Sequence, residues 1–252
     1  RLYVGGDFLE IGSLRVNRIA SFDGQVWRTL AGPMGEGLDR SGSGGNRLYD
    51  LISVQNGPLA GLYAAGSFDV AGGRIVNRVA RWDGQDWHAL ASPMAIGIDD
   101  GRVRALTLHD DGSGPAIYAA GLFQGAGGVP ADNVARWTGD TWQPLAGAGG
   151  QGVVGEAFAL GEWSDVDDLR LLVGGDVERA GDIPSAGLAL WRGCPLPCIA
   201  DFDNDGVLTL FDYLSFSNDF HRGEPRADLD ADGMFTLFDF LAFQDAFSAG
   251  CS

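Results

Sequence analysis

Four stretches of this chain repeat one pattern at nearly constant spacing, and that repetition limits its folds more than any other feature. Leu2-Tyr3-Val4-Gly5-Gly6-Asp7-Phe8 returns as Leu62-Tyr63-Ala64-Ala65-Gly66-Ser67-Phe68 and as Ile117-Tyr118-Ala119-Ala120-Gly121-Leu122-Phe123. A fourth copy reads Leu171-Leu172-Val173-Gly174-Gly175-Asp176-Val177, and the successive offsets are 60, 55 and 54 residues. The phase holds downstream: Phe22, Trp82, Trp137 and Trp191 are equivalent, as are Trp27, Trp87 and Trp142. One such unit cannot bury its own apolar face, so a period near 50 predicts stacked repeats, in a propeller or a solenoid.

Each copy divides into short strand-like pieces. In the third, Val103–Leu108 alternates and ends at the turn Asp110–Pro115; Ile117–Phe123 follows, then the Gly-rich loop Ala126-Gly127-Gly128. Val134–Trp137 and Thr141–Leu145 read as a hairpin turning at Thr138-Gly139-Asp140; the first two copies turn at Asp23-Gly24-Gln25 and Asp83-Gly84-Gln85. Four antiparallel strands per copy predict a mainly β body built of propeller blades. Over residues 1–193 the motif resembles the kelch-like or galactose-oxidase-like repeats of secreted bacterial β-propellers. The first copy lacks its opening strand, and the fourth stops at Trp191-Arg192-Gly193 without a Trp-x-x-Leu strand. Fewer than four blades imply a partial propeller: either further blades precede it, or an N-terminal strand completes the last one. The repeated Trp and Phe are expected to form the core between blades rather than a sugar-stacking surface.

Composition changes sharply near residue 194. All seven Trp and 36 of the 40 Gly lie before it, whereas nine of the 14 Phe lie after residue 198. The junction Cys194-Pro195-Leu196-Pro197-Cys198 is read as a stiff linker over 194–198, dividing a repeat body (1–193) from a tail (199–252). The net charge of -17 argues against nucleic acid and anionic membranes. Half of it lies in the tail, where eleven Asp/Glu face two Arg. No apolar run reaches the roughly 18 residues of a membrane span. The chain opens inside a strand-like run at Arg1, as a piece of a longer protein would, so missing targeting signals carry no information.

The tail contains one 12-residue pattern twice, 27 residues apart. Calcium takes six to eight oxygen ligands, which such a loop supplies from positions 1, 3, 5, 7, 9 and 12. In the first loop these are Asp201, Asp203, Asp205, the Val207 carbonyl, Thr209 and Asp212; in the second, Asp228, Asp230, Asp232, the Met234 carbonyl, Thr236 and Asp239. Gly206 and Gly233 stand at the sharp turn of position 6. Two calcium ions are therefore expected, with Thr209 and Thr236 acting through water or capping the helices that follow. Pro195 and Pro197 before the first loop, and Gly223-Glu224-Pro225 before the second, forbid entering helices. Only exit helices remain, over 210–220 and 237–247.

Loop plus exit helix, duplicated, with Asp at position 12, resembles the dockerin modules that attach bacterial proteins to partners; the ending Gly250-Cys251 resembles the planctomycete type. The resemblance implies a small α-helical, calcium-dependent tether whose partner is a cohesin-like or other surface protein. On the helices, Tyr213, Phe216 and Phe220 match Phe240, Phe243 and Phe247, while Leu210, Phe211 and Leu214 match Leu237, Phe238 and Leu241. So small a module has a core for only one of these faces, and the second set is assigned to the partner. Leu-Phe at loop positions 10 and 11 departs from the polar pair of ordinary cohesin recognition. Cys198 and Cys251 bracket the tail and are expected to close a disulfide loop worth roughly 4 kcal/mol, as in a secreted or cell-surface protein. Cys194 is then odd and is a competitor for Cys198 across the short Pro195-Leu196-Pro197 bridge, and no C-x-x-C is present.

Catalytic signals are absent. His88, His109 and His221 lie in unrelated contexts, with His88 expected at the surface; no G-x-S-x-G occurs, and Gly147–Gly152 matches G-x-G-x-x-G but precedes a strand over 153–160. The reading is a secreted, non-catalytic propeller that binds a glycan or protein ligand and is displayed through its calcium-dependent tail. The rival is a fragment of a dockerin-bearing polysaccharide-degrading enzyme.

Overall fold

The computed structural model describes residues 1–32, 34–39, 46–145, 151–165, 168–191, 200–202, 208–229 and 232–249. They are mainly β, with two helices near the C-terminus. The repeats form four successive antiparallel sheets. The first contains Leu2–Gly5, Ile19–Phe22 and Trp27–Thr29; the second contains Leu48–Val54, Gly61–Gly66, Val79–Trp82 and Trp87–Ala89. The third contains Arg102–Asp110, Pro115–Leu122, Val134–Trp137 and Trp142–Pro144; the fourth contains Ala157–Asp165, Asp168–Gly175 and Leu188–Trp191. Strands neighbour one another in chain order, as short hairpin connections require.

The register repeats with the sequence. Leu2 pairs with Phe22, Leu62 with Trp82, Ile117 with Trp137 and Leu171 with Trp191. The next pairings are Phe22 with Trp27, Trp82 with Trp87 and Trp137 with Trp142. The second, third and fourth sheets each carry a register shift near their first two strands, next to Gly66, Gly121 and Gly175. A Cβ there would stand 2.0 Å from the Arg47 carbonyl oxygen, 2.0 Å from that of Arg102 and 2.2 Å from that of Glu156. Only glycine admits so close a backbone, which explains its return in the second, third and fourth copies.

Packing follows from strand periodicity. Successive side chains point to opposite faces, so each inner sheet feeds two cores. Leu62 and Ala64 pack toward the first sheet, in a cluster with Ile19 and Leu30. Tyr63 and Ala65 pack toward the third, with Ile117, Ala119 and Trp142. The third and fourth sheets share Ala116, Tyr118, Val153, Leu171 and Val173. Trp82, Trp87, Trp137 and Trp142 are all buried between sheets, as expected of repeat core. Each copy also lends backbone to the next: Leu38–Asp39 pairs with Val70–Ala71, Ile98 bridges to Ala126, and Val153–Val154 pairs with Arg179–Ala180. The strand expected over 153–160 is therefore two strands. Gly155, at φ 101°, sits 1.9 Å (as a Cβ) from the Asp176 carbonyl oxygen, and the chain changes sheets there.

In the tail, α1 is Leu210–Arg222 and α2 is Leu237–Ala249. Between them, Pro225–Ala227 forms one 3-10 turn, so no helix enters the second loop. Phe202, Phe216 and Phe243 make a separate buried cluster, with Phe220, Phe240 and Phe247 against it. The Phe216 and Phe243 rings stack at 4.1 Å with an interplanar angle of 1°. This aromatic core joins the two loop-helix units where their equivalent residues meet. The linker 194–198 lies outside the described residues.

Candidate functional site

The tail loops bear the densest functional signal. Both are tied to their helices in the same way. Thr209 and Thr236 stand immediately before α1 and α2, and each hydroxyl accepts the amide two residues on, Phe211 N and Phe238 N, at 3.1 Å. Asp212 and Asp239 reach back to accept the Thr209 and Thr236 amides at 2.7 Å. In α1 this is a complete capping box, which satisfies two orphan helix donors at once. Of the two roles expected for the Thr pair, capping is the one the geometry displays.

Asp212 and Asp239 are fully buried. In the second loop Asp239 Oδ1 also accepts the Leu229 amide at 2.8 Å, so its carboxylate bridges both ends of the loop. Asp228 accepts from the Asp232 amide at 3.2 Å and the Gly233 amide at 2.9 Å, and Asp232 accepts from Met234 N at 2.7 Å. The backbone thus folds around the first carboxylate and is closed by the twelfth. Gly233 takes φ 82°, the left-handed conformation the sharp turn at position 6 needs. Carboxylates are hard oxygen donors of the kind calcium takes, and they supply no redox chemistry.

Of the other expected ligands, Asp201 is partly buried, Thr209 and Thr236 are half-buried, and Met234 is exposed. Asp203, Asp205, Val207 and Asp230 lie outside the described residues, as do Cys198, Cys251 and Cys194. Among the described residues no three acidic, His or Cys side chains form a metal-holding group. Arg226 organises the module from outside the loops: it pairs with Asp219, donates to the Phe202 carbonyl at 2.9 Å and lies 5.0 Å over the Phe202 ring.

The two apolar faces of the helices differ in exposure. Phe216 and Phe243 are fully buried, whereas Leu210, Phe211, Leu237 and Phe238 are 67–68% exposed. Leu214 and Leu241 continue the same surface at 48% and 43%. Six apolar side chains, three from each helix, thus remain in solvent after the tail has formed its core, and burial of such a set is the ordinary drive for association.

In the body, the polar clusters are structural. Asp23 and Asp83 hold their hairpin turns by accepting two backbone amides each, from Val26 and Gln25 and from Asp86 and Gln85. Those amides hold both carboxyls down at about 2. His88 is exposed and bonds Asp83 at 2.7 Å. Asp111 is buried, which pushes its pKa up, but bonds from Ser113 and Tyr118 with the charge of Arg136 prevail and lower it. His109 is buried against Tyr118, with Nδ1 2.9 Å from Glu162. Glu156 accepts from Arg102 and Arg104 at 2.7 Å, and those bonds, Arg102 foremost, hold it at about 2.

Sequence reasoning passed over these last pairs, although a signal was present. Arg102 and Glu156, and His109 and Glu162, lie 54 and 53 residues apart, close to one repeat length. Arg102 and Glu156 hold equivalent positions of adjacent copies, so a positive residue in one copy and a negative one a repeat later mark a link between neighbours. No described helix is long and apolar enough to cross a membrane. Compared with protein-family models, curated proteins and solved structures, the chain matches none.

Proposed function

We propose that this chain is a secreted, non-catalytic binding or display protein, held to a surface partner by a calcium-dependent, dockerin-like tail. The observation that carries the reading is the duplicated loop-helix unit. Two Asp-rich 12-residue loops lead through identical caps into two helices whose equivalent Leu-Phe-Leu faces stay in solvent. The loops would bind two calcium ions through Asp201, Asp203, Asp205, Asp212 and their counterparts Asp228, Asp230, Asp232 and Asp239, with Val207 and Met234 carbonyls completing each set. Calcium would order the loops and so fix the relative placement of the two exposed faces. Leu210, Phe211, Leu214, Leu237, Phe238 and Leu241 would then meet an apolar surface on a cohesin-like or other cell-surface protein.

The four stacked sheets are the blades of a partial β-propeller on this reading. Their repeated Trp serve as core, so a glycan or protein ligand would be taken on loops rather than on those rings. The test is direct. Calorimetric titration of the calcium-free protein should show two bound ions, and chelation should lower helical circular dichroism. An unchanged helical signal with no calcium heat would sink the tether. Hydrolysis of any member of a polysaccharide panel would overturn the non-catalytic assignment.

A further inference from the structure

The repeats contain their own control experiment. In the second and third sheets the last strand begins with a Trp whose indole is inserted between neighbouring copies. Trp87 Nε1 donates to the Leu30 carbonyl at 3.0 Å, and Trp142 Nε1 donates to the Leu90 carbonyl at 2.9 Å. Each acceptor is the closing Leu of the preceding copy's Trp-x-x-Leu. The indole edge lies against a glycine at positive φ: a Cβ on Gly72 or Gly127 would stand 2.7 or 2.8 Å from the ring.

Among the described residues the fourth sheet ends at Leu188–Trp191, and beside it lies an apolar slot of about 130 Å³. Engineered apolar cavities of ~150 Å³ accept a benzene ring. The lining of this slot is the Trp142 seat one repeat later. Val134, Leu145, Val153, Gly181, Ala189 and Trp191 stand where Val79, Leu90, Ile98, Gly127, Ala135 and Trp137 stand around Trp142. Gly181 keeps the positive φ, 54° against 60° at Gly127. Trp191 Nε1 is buried with no hydrogen-bond partner among the described residues. The apolar lining and its correspondence with the Trp142 seat match an indole.

We propose that this slot and the Leu188–Trp191 edge form a strand-addition site for an extended polypeptide segment of Trp-x-x-Leu type. The incoming strand runs antiparallel to Leu188–Trp191, with its Trp opposite Trp191 and its indole N–H on the Leu145 carbonyl. Main-chain bonds give it affinity, and the slot gives it specificity for Trp. The segment belongs to a partner polypeptide, because Trp27-x-x-Leu30, Trp87-x-x-Leu90 and Trp142-x-x-Leu145 each already complete their own sheet.

The probe is a fluorescein-labelled peptide with the Gly84–Leu90 sequence, G-Q-D-W-H-A-L, titrated by anisotropy into the calcium-loaded full chain. Saturable binding is expected, at least tenfold weaker when the peptide Trp is Ala. Ile183, 66% exposed at the slot mouth, tolerates substitution without loss of core, and Ile183→Trp should cover the slot and reduce binding at least tenfold. Hydrogen exchange should slow at Leu188–Trp191 and Arg179–Pro184 upon peptide addition. Absent binding at millimolar peptide, binding indifferent to the peptide Trp, or protection elsewhere would overturn the proposal. So would a dimer, seen by sedimentation, that Ile183→Trp dissociates, since a second copy would then be the occupant.

Discussion

Trp142→Ala tests whether the repeats are held by their inserted indoles. Trp142 is 3% exposed, lies 5.5 Å from the Trp137 ring and donates to the Leu90 carbonyl, which also accepts the Gly97 amide at 2.9 Å. Truncating a buried aromatic to Ala costs about 3–5 kcal/mol, and because the Leu90 carbonyl keeps its bond from the Gly97 amide, nearly all of that cost is lost packing. Trp27 is the equivalent residue of the first copy, but it is only half-buried against Phe22 at 4.9 Å. Its truncation should cost roughly half as much, because solvent already replaces part of its packing. Urea unfolding followed by far-ultraviolet circular dichroism reads the difference. At roughly 2–3 kcal/mol per molar urea, Trp142→Ala should lower the midpoint by about 1–2 M, and Trp27→Ala by less than 1 M. Trp142→Phe keeps a ring and loses the N–H, so it should fall between wild type and Trp142→Ala. The reasoning fails if Trp27→Ala and Trp142→Ala destabilise equally, or if Trp142→Ala costs less than about 1 kcal/mol.

The other predictions concern the tail and acid stability. Asp228→Ala removes the carboxylate around which the second loop folds, so calorimetric stoichiometry should fall from two calcium ions to one; two ions still bound would exclude the loop. Phe211→Ser with Phe238→Ser should weaken capture of a surface partner at least tenfold while both ions still bind, because neither side chain lies in the tail core; undiminished capture would remove the assigned face. Glu156 is held at about 2 from an ordinary 4.5, so its pairing with Arg102 and Arg104 stabilises fully above about pH 4.5 and is lost as pH falls toward 2. Glu156→Gln should therefore destabilise the body at pH 7, by at most about 3 kcal/mol, and by little at pH 2. Equal destabilisation at both pH values would refute an electrostatic role.

Periodicity makes the repeat architecture legible in the sequence alone. Leu2, Leu62, Ile117 and Leu171 recur in phase, and strand geometry then dictates that Tyr63 faces one neighbour and Leu62 the other. The tail was equally legible, because Asp spacing and paired Phe are local patterns: Thr209 and Thr236 precede helices that start where their caps dictate. Other features depend on residues far apart in sequence. Gly66 and Gly121 return because a preceding strand's carbonyl approaches within 2.0 Å of where a side chain would begin, which no local pattern encodes. The exposure of Phe211 and Phe238, against the burial of Phe216 and Phe243, is decided by how α1 meets α2, since helical spacing alone offers two apolar faces. The slot beside Trp191 is likewise a tertiary fact. Sequence shows only that the fourth copy lacks its Trp-x-x-Leu, whereas packing of the third sheet against the fourth builds the seat for it. Local spacing specifies strands, caps and loops; which faces stay open depends on the neighbours that arrive to cover them.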